Sequence, residues 1–187
     1  LCEHPDARVV LLGTPTRGSP AITRLLCAQE PTLRSLALLD LRHGQKQLLQ
    51  TIANFPGVLE LLPDDENFRF FEPATWTEIA AAAGSDFVPP QNAALRNALA
   101  LRKELNETAL DPERVLYVAG CADRTPIQLE IVKRGRRGGR VEFHATSEGD
   151  GRVPWETGIP PEFTAYYASA IHGDLADDPP TFPALLD

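Results

Sequence analysis

Three short stretches carry residues whose types and order could do acid–base chemistry. In Glu148-Gly-Asp-Gly-Arg-Val-Pro154, Asp150 lies between two glycines on a tight, backbone-dominated turn. Amide N–H groups in such a turn can hold a carboxylate rigidly. In Ala170-Ile-His-Gly-Asp-Leu175, His172 follows an aromatic run and precedes an acidic, Pro-rich stretch. A carboxylate that accepts from one imidazole nitrogen sets the tautomer and leaves the other nitrogen as a base. The third stretch, Leu12-Gly-Thr-Pro-Thr-Arg-Gly-Ser19, is a sharp exit from an apolar run. Such exits, at the carboxyl ends of strands, are where α/β enzymes build their sites. Each stretch also has a plainer reading: an Asp that satisfies its own turn, a structural His, and a simple loop. A calcium loop is excluded at Asp150, because the Asp/Asn ladder and closing Glu of an EF-hand are absent.

These residues need elements to position them. Arg8-Val-Val-Leu-Leu-Gly13 and Arg114-Val-Leu-Tyr-Val-Ala-Gly120 read as buried strands that close on glycine. Arg140–Thr146 alternates apolar and polar residues and reads as a half-exposed strand. Residues 21–26, 33–41, 45–52, 76–83 and 93–105 carry apolar residues at helical spacing, with breaks at Pro56-Gly57 and Pro63-Asp64-Asp65. A crossover between parallel strands needs about a dozen residues, far fewer than this region holds. Residues 20–110 are therefore expected to form an inserted helical subdomain, between a core piece at 1–19 and a C-terminal core at 111–187. The basic stretch Lys133–Arg140 joins two strand-like runs, Gln128–Val132 and Val141–Ala145. It reads as a solvated hairpin tip, or as a contact for an anionic headgroup.

Composition narrows the classes. The chain has 187 residues, 26 acidic and 18 basic, for a formal charge of −8. An acidic balance argues against nucleic acid as the main partner. Hydrophobic residues at 43% with 24% charged argue against disorder. No apolar run approaches the length of a membrane span. Cys2, Cys27 and Cys121 are widely spaced, with no C-x-x-C pair. They read as ordinary thiols rather than a disulfide framework or a zinc site, and they favour the cytoplasm. The absence of Met, even at position 1, reads as a fragment or a processed chain.

Taken in order, the three stretches resemble the lipase branch of the α/β-hydrolases, including lecithin:cholesterol acyltransferase-like and bacterial triacylglycerol-lipase-like proteins. In that group a strand ends in G-T-P-x-x-G-S, a helical lid follows, an acid appears in a D-G-x-V context, and a His comes later. Gly13-Thr-Pro-Thr-Arg-Gly-Ser19, Asp150-Gly-Arg-Val153 and His172 match in that order. The resemblance implies an α/β fold: the C-terminal portion of a hydrolase sheet, mainly parallel, with the helical insertion as its lid. It implies a serine-dependent lipase, esterase or O-acyltransferase working through a Ser-His-Asp acyl-enzyme, with Asp150 as acid and His172 as base. The substrate would be a lipid or small-molecule ester, with no cofactor and no metal.

The nucleophile elbow G-x-S-x-G does not occur. None of Ser19, Ser35, Ser85, Ser147 and Ser169 sits in that frame. In the family the elbow lies roughly twenty residues ahead of the G-T-P strand, which puts it before Leu1. The isolated chain is accordingly expected to be inactive, and its interrupted sheet edge to favour self-association. The alternative is a hydrolase-like fold without catalysis, used for binding. A rival acid, Asp123, follows the second strand, where many α/β-hydrolases carry theirs; it could equally pair with Arg124. Asp174 reads as a turn acceptor, and His43 and His144 as scaffold. Phe55, Phe68, Phe70, Phe71 and Trp76 either line an acyl pocket or pack the helices together.

Overall fold

The computed structural model describes residues 4, 6–40, 42–66, 69–83, 87–134 and 138–181. The expectations for Cys2, Phe68, Ser85 and the tip of the basic stretch lie outside these residues. The strands are β1 (Val9–Leu12), β2 (Val115–Gly120), β3 (Thr125–Arg134), β4 (Gly138–Thr146) and β5 (Thr164–Ala168). β2 is flanked in parallel by β1 and β5, giving the order β1-β2-β5. Its run of Val, Tyr and Ala is almost wholly buried, as a strand covered on both faces should be. β3 and β4 form a separate antiparallel hairpin. The chain is thus a mixed α/β fold, with a parallel three-stranded sheet and an antiparallel pair.

Between β1 and β2 run α1 (Pro20–Leu26), α2 (Pro31–Leu39), α3 (Gln45–Ile52), α4 (Pro56–Leu59), α5 (Pro73–Ala83) and α6 (Asn92–Glu107). Proline opens α1, α2 and α4, where its missing N–H costs nothing and its φ is already helical. Pro56-Gly57, expected to break the pattern, therefore starts a short helix. For the same reason α2 begins at Pro31 and α5 at Pro73, ahead of the apolar periodicity. The short α7 (Trp155–Gly158) follows the Asp150 turn.

The helices share one core with the hairpin. Leu26, Leu59, Trp76, Ile79 and Leu95 pack with Leu129 of β3 and Val141 of β4. The half-exposed alternation of the hairpin thus faces helices on its apolar side. The sheet has a smaller core of Val118, Ala170 and Leu175, with Leu12 and Ala168 against it. Segment 111–187 contributes to both cores.

Arg102 of α6 clamps the two regions. It is buried, and it donates from Nη1 to Thr16 O, beyond β1, and from Nη2 to Glu60 O at the end of α4. Burial lowers its pKa from the usual arginine value, partly offset by the charge of Asp64. No helix among the described residues is long and apolar enough to cross a membrane.

Candidate active site

Asp150 and His172 meet at the carboxyl ends of the parallel strands. Nδ1 of His172 lies 2.8 Å from Asp150 Oδ2. The other carboxylate oxygen, Oδ1, accepts from the amides of Arg152 (2.9 Å) and Val153 (2.7 Å). The turn is closed by Asp150 N donating to Val153 O and by a bridge between Gly149 and Pro154. Buried Thr125, at the start of β3, accepts from Gly151 N at 2.8 Å. Both carboxylate oxygens of Asp150 thus have partners, two backbone amides at Oδ1 and the imidazole at Oδ2, which hold the side chain in a single orientation.

His172 is held from the backbone as well. Its amide donates to Asp150 O at 2.8 Å, so main chain and side chain of the two residues join in register. β5 delivers the chain to this point, and Cys121 N donates to Ala170 O alongside. In the tautomer whose Nδ1–H donates to the carboxylate, Nε2 is left as an acceptor. Nε2 has no hydrogen-bond partner among the described residues. His172 lines a cavity of about 270 Å³ together with Arg24, Glu30, Pro31, Asp150, Gly151, Arg152, Ile171 and Gly173.

The loop after β1 completes the floor. Gly13 has φ +55°, and its amide donates to Val118 O. A Cβ at Gly13 would stand 2.7 Å from Asp150 Oδ2 and 3.1 Å from His172 Nδ1. Only glycine allows the strand end to come this close. Beneath it Tyr117 is buried and donates from its hydroxyl to Thr14 O at 2.7 Å. Burial, and then the charge of Asp150, push its phenol above the ordinary tyrosine pKa. Thr16 Oγ1 donates to Gly158 O, and Trp155 Nε1 to Gly120 O. These contacts tie the G-T-P loop and the end of β2 to α7.

The remaining expected residues lie elsewhere. Asp123 is exposed in the bend after β2, and no hydrogen bond or ion pair joins it to His172. Asp174 is exposed in the turns after His172, where its carbonyl accepts from Asp177 N. His43 pairs with Asp40 and His144 with Glu130, both at the surface. Of the aromatic set, Phe55, Phe70, Phe71 and Trp76 are not among the residues that line the cavity at His172. Phe71 and Trp76 are buried in the helix–hairpin core, where Trp76 donates to Phe70 O and stacks on Phe87. Phe55 is exposed at the start of α4. Ser19 caps α1, accepting from Ala21 N, and its hydroxyl donates to Arg152 O. It is thus engaged in structure.

Thr125, Tyr117, Trp155 and the cavity residues Arg24, Glu30 and Arg152 were not singled out by sequence. Thr125, Tyr117 and Trp155 bond residues far along the chain, which no local motif marks, and the cavity brings Arg24 and Glu30 together with Arg152 only in the folded chain. Among the described residues no three His, Cys, Asp or Glu side chains are grouped to hold a metal. Comparison with protein-family models, curated proteins and solved structures gives no match. Function is therefore read from the geometry.

Proposed function

We propose that this chain supplies the acid and the histidine of a serine-type ester hydrolase or O-acyltransferase. The observation that carries this reading is the buried, doubly amide-bound Asp150 aligned on His172 Nδ1, beside a cavity that both residues line. A seryl hydroxyl outside this chain attacks the ester carbonyl, and Nε2 of His172 takes its proton. Asp150 orients the ring and stabilises the imidazolium without itself being protonated. His172 then protonates the leaving alkoxide. Water, or an acceptor alcohol, regenerates the serine by the reverse proton path. Asp123 has no part in this scheme.

The parallel order β1-β2-β5, with the acid and the histidine beyond β2 and β5, supports an α/β-hydrolase sheet. Residues 20–110 act as its lid, a role supported by Arg24, Glu30 and Pro31, which line the same cavity as the dyad. α2 continues from Pro31 into exposed Leu36, Leu38 and Leu39, which favours an ester with an apolar part. Phe71 and Trp76 belong to the lid's core.

The test is hydrolysis of p-nitrophenyl esters, and labelling by a fluorophosphonate, in the protein that includes the nucleophile. His172→Ala and Asp150→Asn should each lower kcat/KM by about 10³–10⁴-fold, while Asp123→Asn leaves it near wild type. Turnover unaffected by Asp150→Asn and His172→Ala rejects the reading. So does the absence of both turnover and labelling, which leaves the binding module.

A further inference from the structure

The cavity at His172 has a charged wall that acyl transfer does not use. Arg152 is pinned on both sides of its Cα: its amide donates to Asp150 Oδ1, and its carbonyl accepts from Ser19 Oγ. Its exposed side chain thus leaves a fixed point beside the dyad, and no ion pair engages it among the described residues. Arg24, which lines the same cavity, donates from Nε to Gln29 O at 3.3 Å, and its Nη1 lies 3.8 Å from Glu30 Oε1. Glu30 is nearly buried and offsets the charge of Arg24. The carboxylate of Asp150 is spent on two amides and an imidazole. The charges of Arg24, Glu30, Asp150 and Arg152 around this space cancel in sum, but the guanidinium of Arg152 is in no ion pair among the described residues, and Arg24 keeps N–H groups beyond its bond to Gln29 and its pairing with Glu30.

Resting on the acyl-transfer reading, we propose that this cavity binds an anionic group of the ester substrate, a carboxylate or a phosphate, held by Arg152 and Arg24. A guanidinium matches either oxyanion with two parallel N–H bonds. The chain as a whole carries −8, so its general field repels anions. A local guanidinium pair is what admits one to the dyad. Leu36, Leu38 and Leu39 on the adjoining helix would then meet the apolar part of the same molecule.

Titration with monomethyl glutarate, methyl phosphate and uncharged dimethyl glutarate, followed through the ring resonances of His172, tests the site. One of the anions should bind about 10-fold more tightly than dimethyl glutarate. Arg152→Gln should remove most of that preference, and Arg152→Lys should restore part of it. The tighter of the two anions tells carboxylate from phosphate. Equal binding of charged and uncharged probes overturns the proposal, as does a preference that survives Arg152→Gln and Arg24→Gln. Turnover separates this result from the fate of the acyl-transfer reading. Hydrolysis of p-nitrophenyl acetate and p-nitrophenyl hydrogen glutarate at one kcat/KM, indifferent to Arg152→Gln, overturns the anion site and leaves acyl transfer standing. Arg152-dependent anion binding by a protein that hydrolyses no ester upholds the site and rejects acyl transfer.

Discussion

The turn at Asp40 and the turn at Asp150 are built alike. In each, Oδ1 of the aspartate accepts from the amides two and three residues on, and Oδ2 lies 2.8 Å from an imidazole Nδ1. The difference is in what surrounds them. The Asp40 side chain is 33% exposed and that of its partner His43, three residues away, is 56% exposed. The Asp150 side chain is 2% exposed, and its histidine arrives from the end of a different strand. An aspartate turn makes the local geometry cheaply, anywhere on a surface. At Asp150 the same geometry is buried, and its imidazole is fixed by contacts from far along the chain. Distance alone therefore does not mark a site.

The largest expected break in this contrast comes from Gly13. Alanine there would put Cβ 2.7 Å from Asp150 Oδ2 and 2.8 Å from Leu175 Cδ1, at φ +55°. The strained backbone and the crowding should cost about 2–4 kcal/mol, read by urea denaturation. The displaced dyad should lose about 100-fold in ester turnover. Beside the other turn, a Cβ on Gly44 meets nothing within 4 Å, so Gly44→Ala should leave turnover unchanged. If Gly13→Ala keeps full turnover, the close approach of β1 does not hold the dyad.

Parts of this arrangement were legible in the sequence. The runs at Val9–Leu12 and Val115–Gly120, the hairpin, and the Asp-Gly turn all have local signatures: β-branched runs, alternation, and turn residues. What the hairpin packs against was not legible, because alternation shows that one face is buried and not which element buries it. The buried placement of Phe71 and Trp76 had the same origin: an aromatic run looks alike in a pocket and in a core. Thr125 and Arg102 serve residues far away in sequence, so their roles exist only once the fold has formed.

A middle-sized effect separates the two cores. Tyr117 lies under the dyad and Cys27 lies in the helix–hairpin core. Burial pushes the Cys27 thiol up to about 12 from 9.0, and the Tyr117 phenol moves up from 10.0. Both groups hold their proton more tightly folded than unfolded. Their contribution is therefore complete at neutral pH and is lost as pH rises, from 9 for Cys27 and from 10 for Tyr117. Each should steepen the alkaline fall in stability by up to about 1.4 kcal/mol per pH unit. Urea midpoints between pH 8 and 11 should show Cys27→Ala flattening the curve from its lower end and Tyr117→Phe flattening only the upper part. Wild-type slopes in both variants would mean that neither group is shielded as its position demands.

The smallest effect concerns the exposed turn itself. The carboxyl of Asp40 is held below its ordinary range first by the amide of Arg42 and then by the side chain of His43. A lowered value means that the charged form is favoured in the fold, an advantage present at neutral pH and lost as pH falls into the carboxylate range. If the turn's own amide leads, His43→Gln should raise the Asp40 pKa only part of the way to its usual value. A carbon-detected NMR titration of the carboxyl reads this directly. The same substitution should leave ester turnover unchanged, unlike its counterpart at His172. A full return of Asp40 to the ordinary value would show that the imidazole, not the turn, holds that carboxylate. Asp40–His43 would then be a genuine dyad in the open, and burial would no longer separate the two turns.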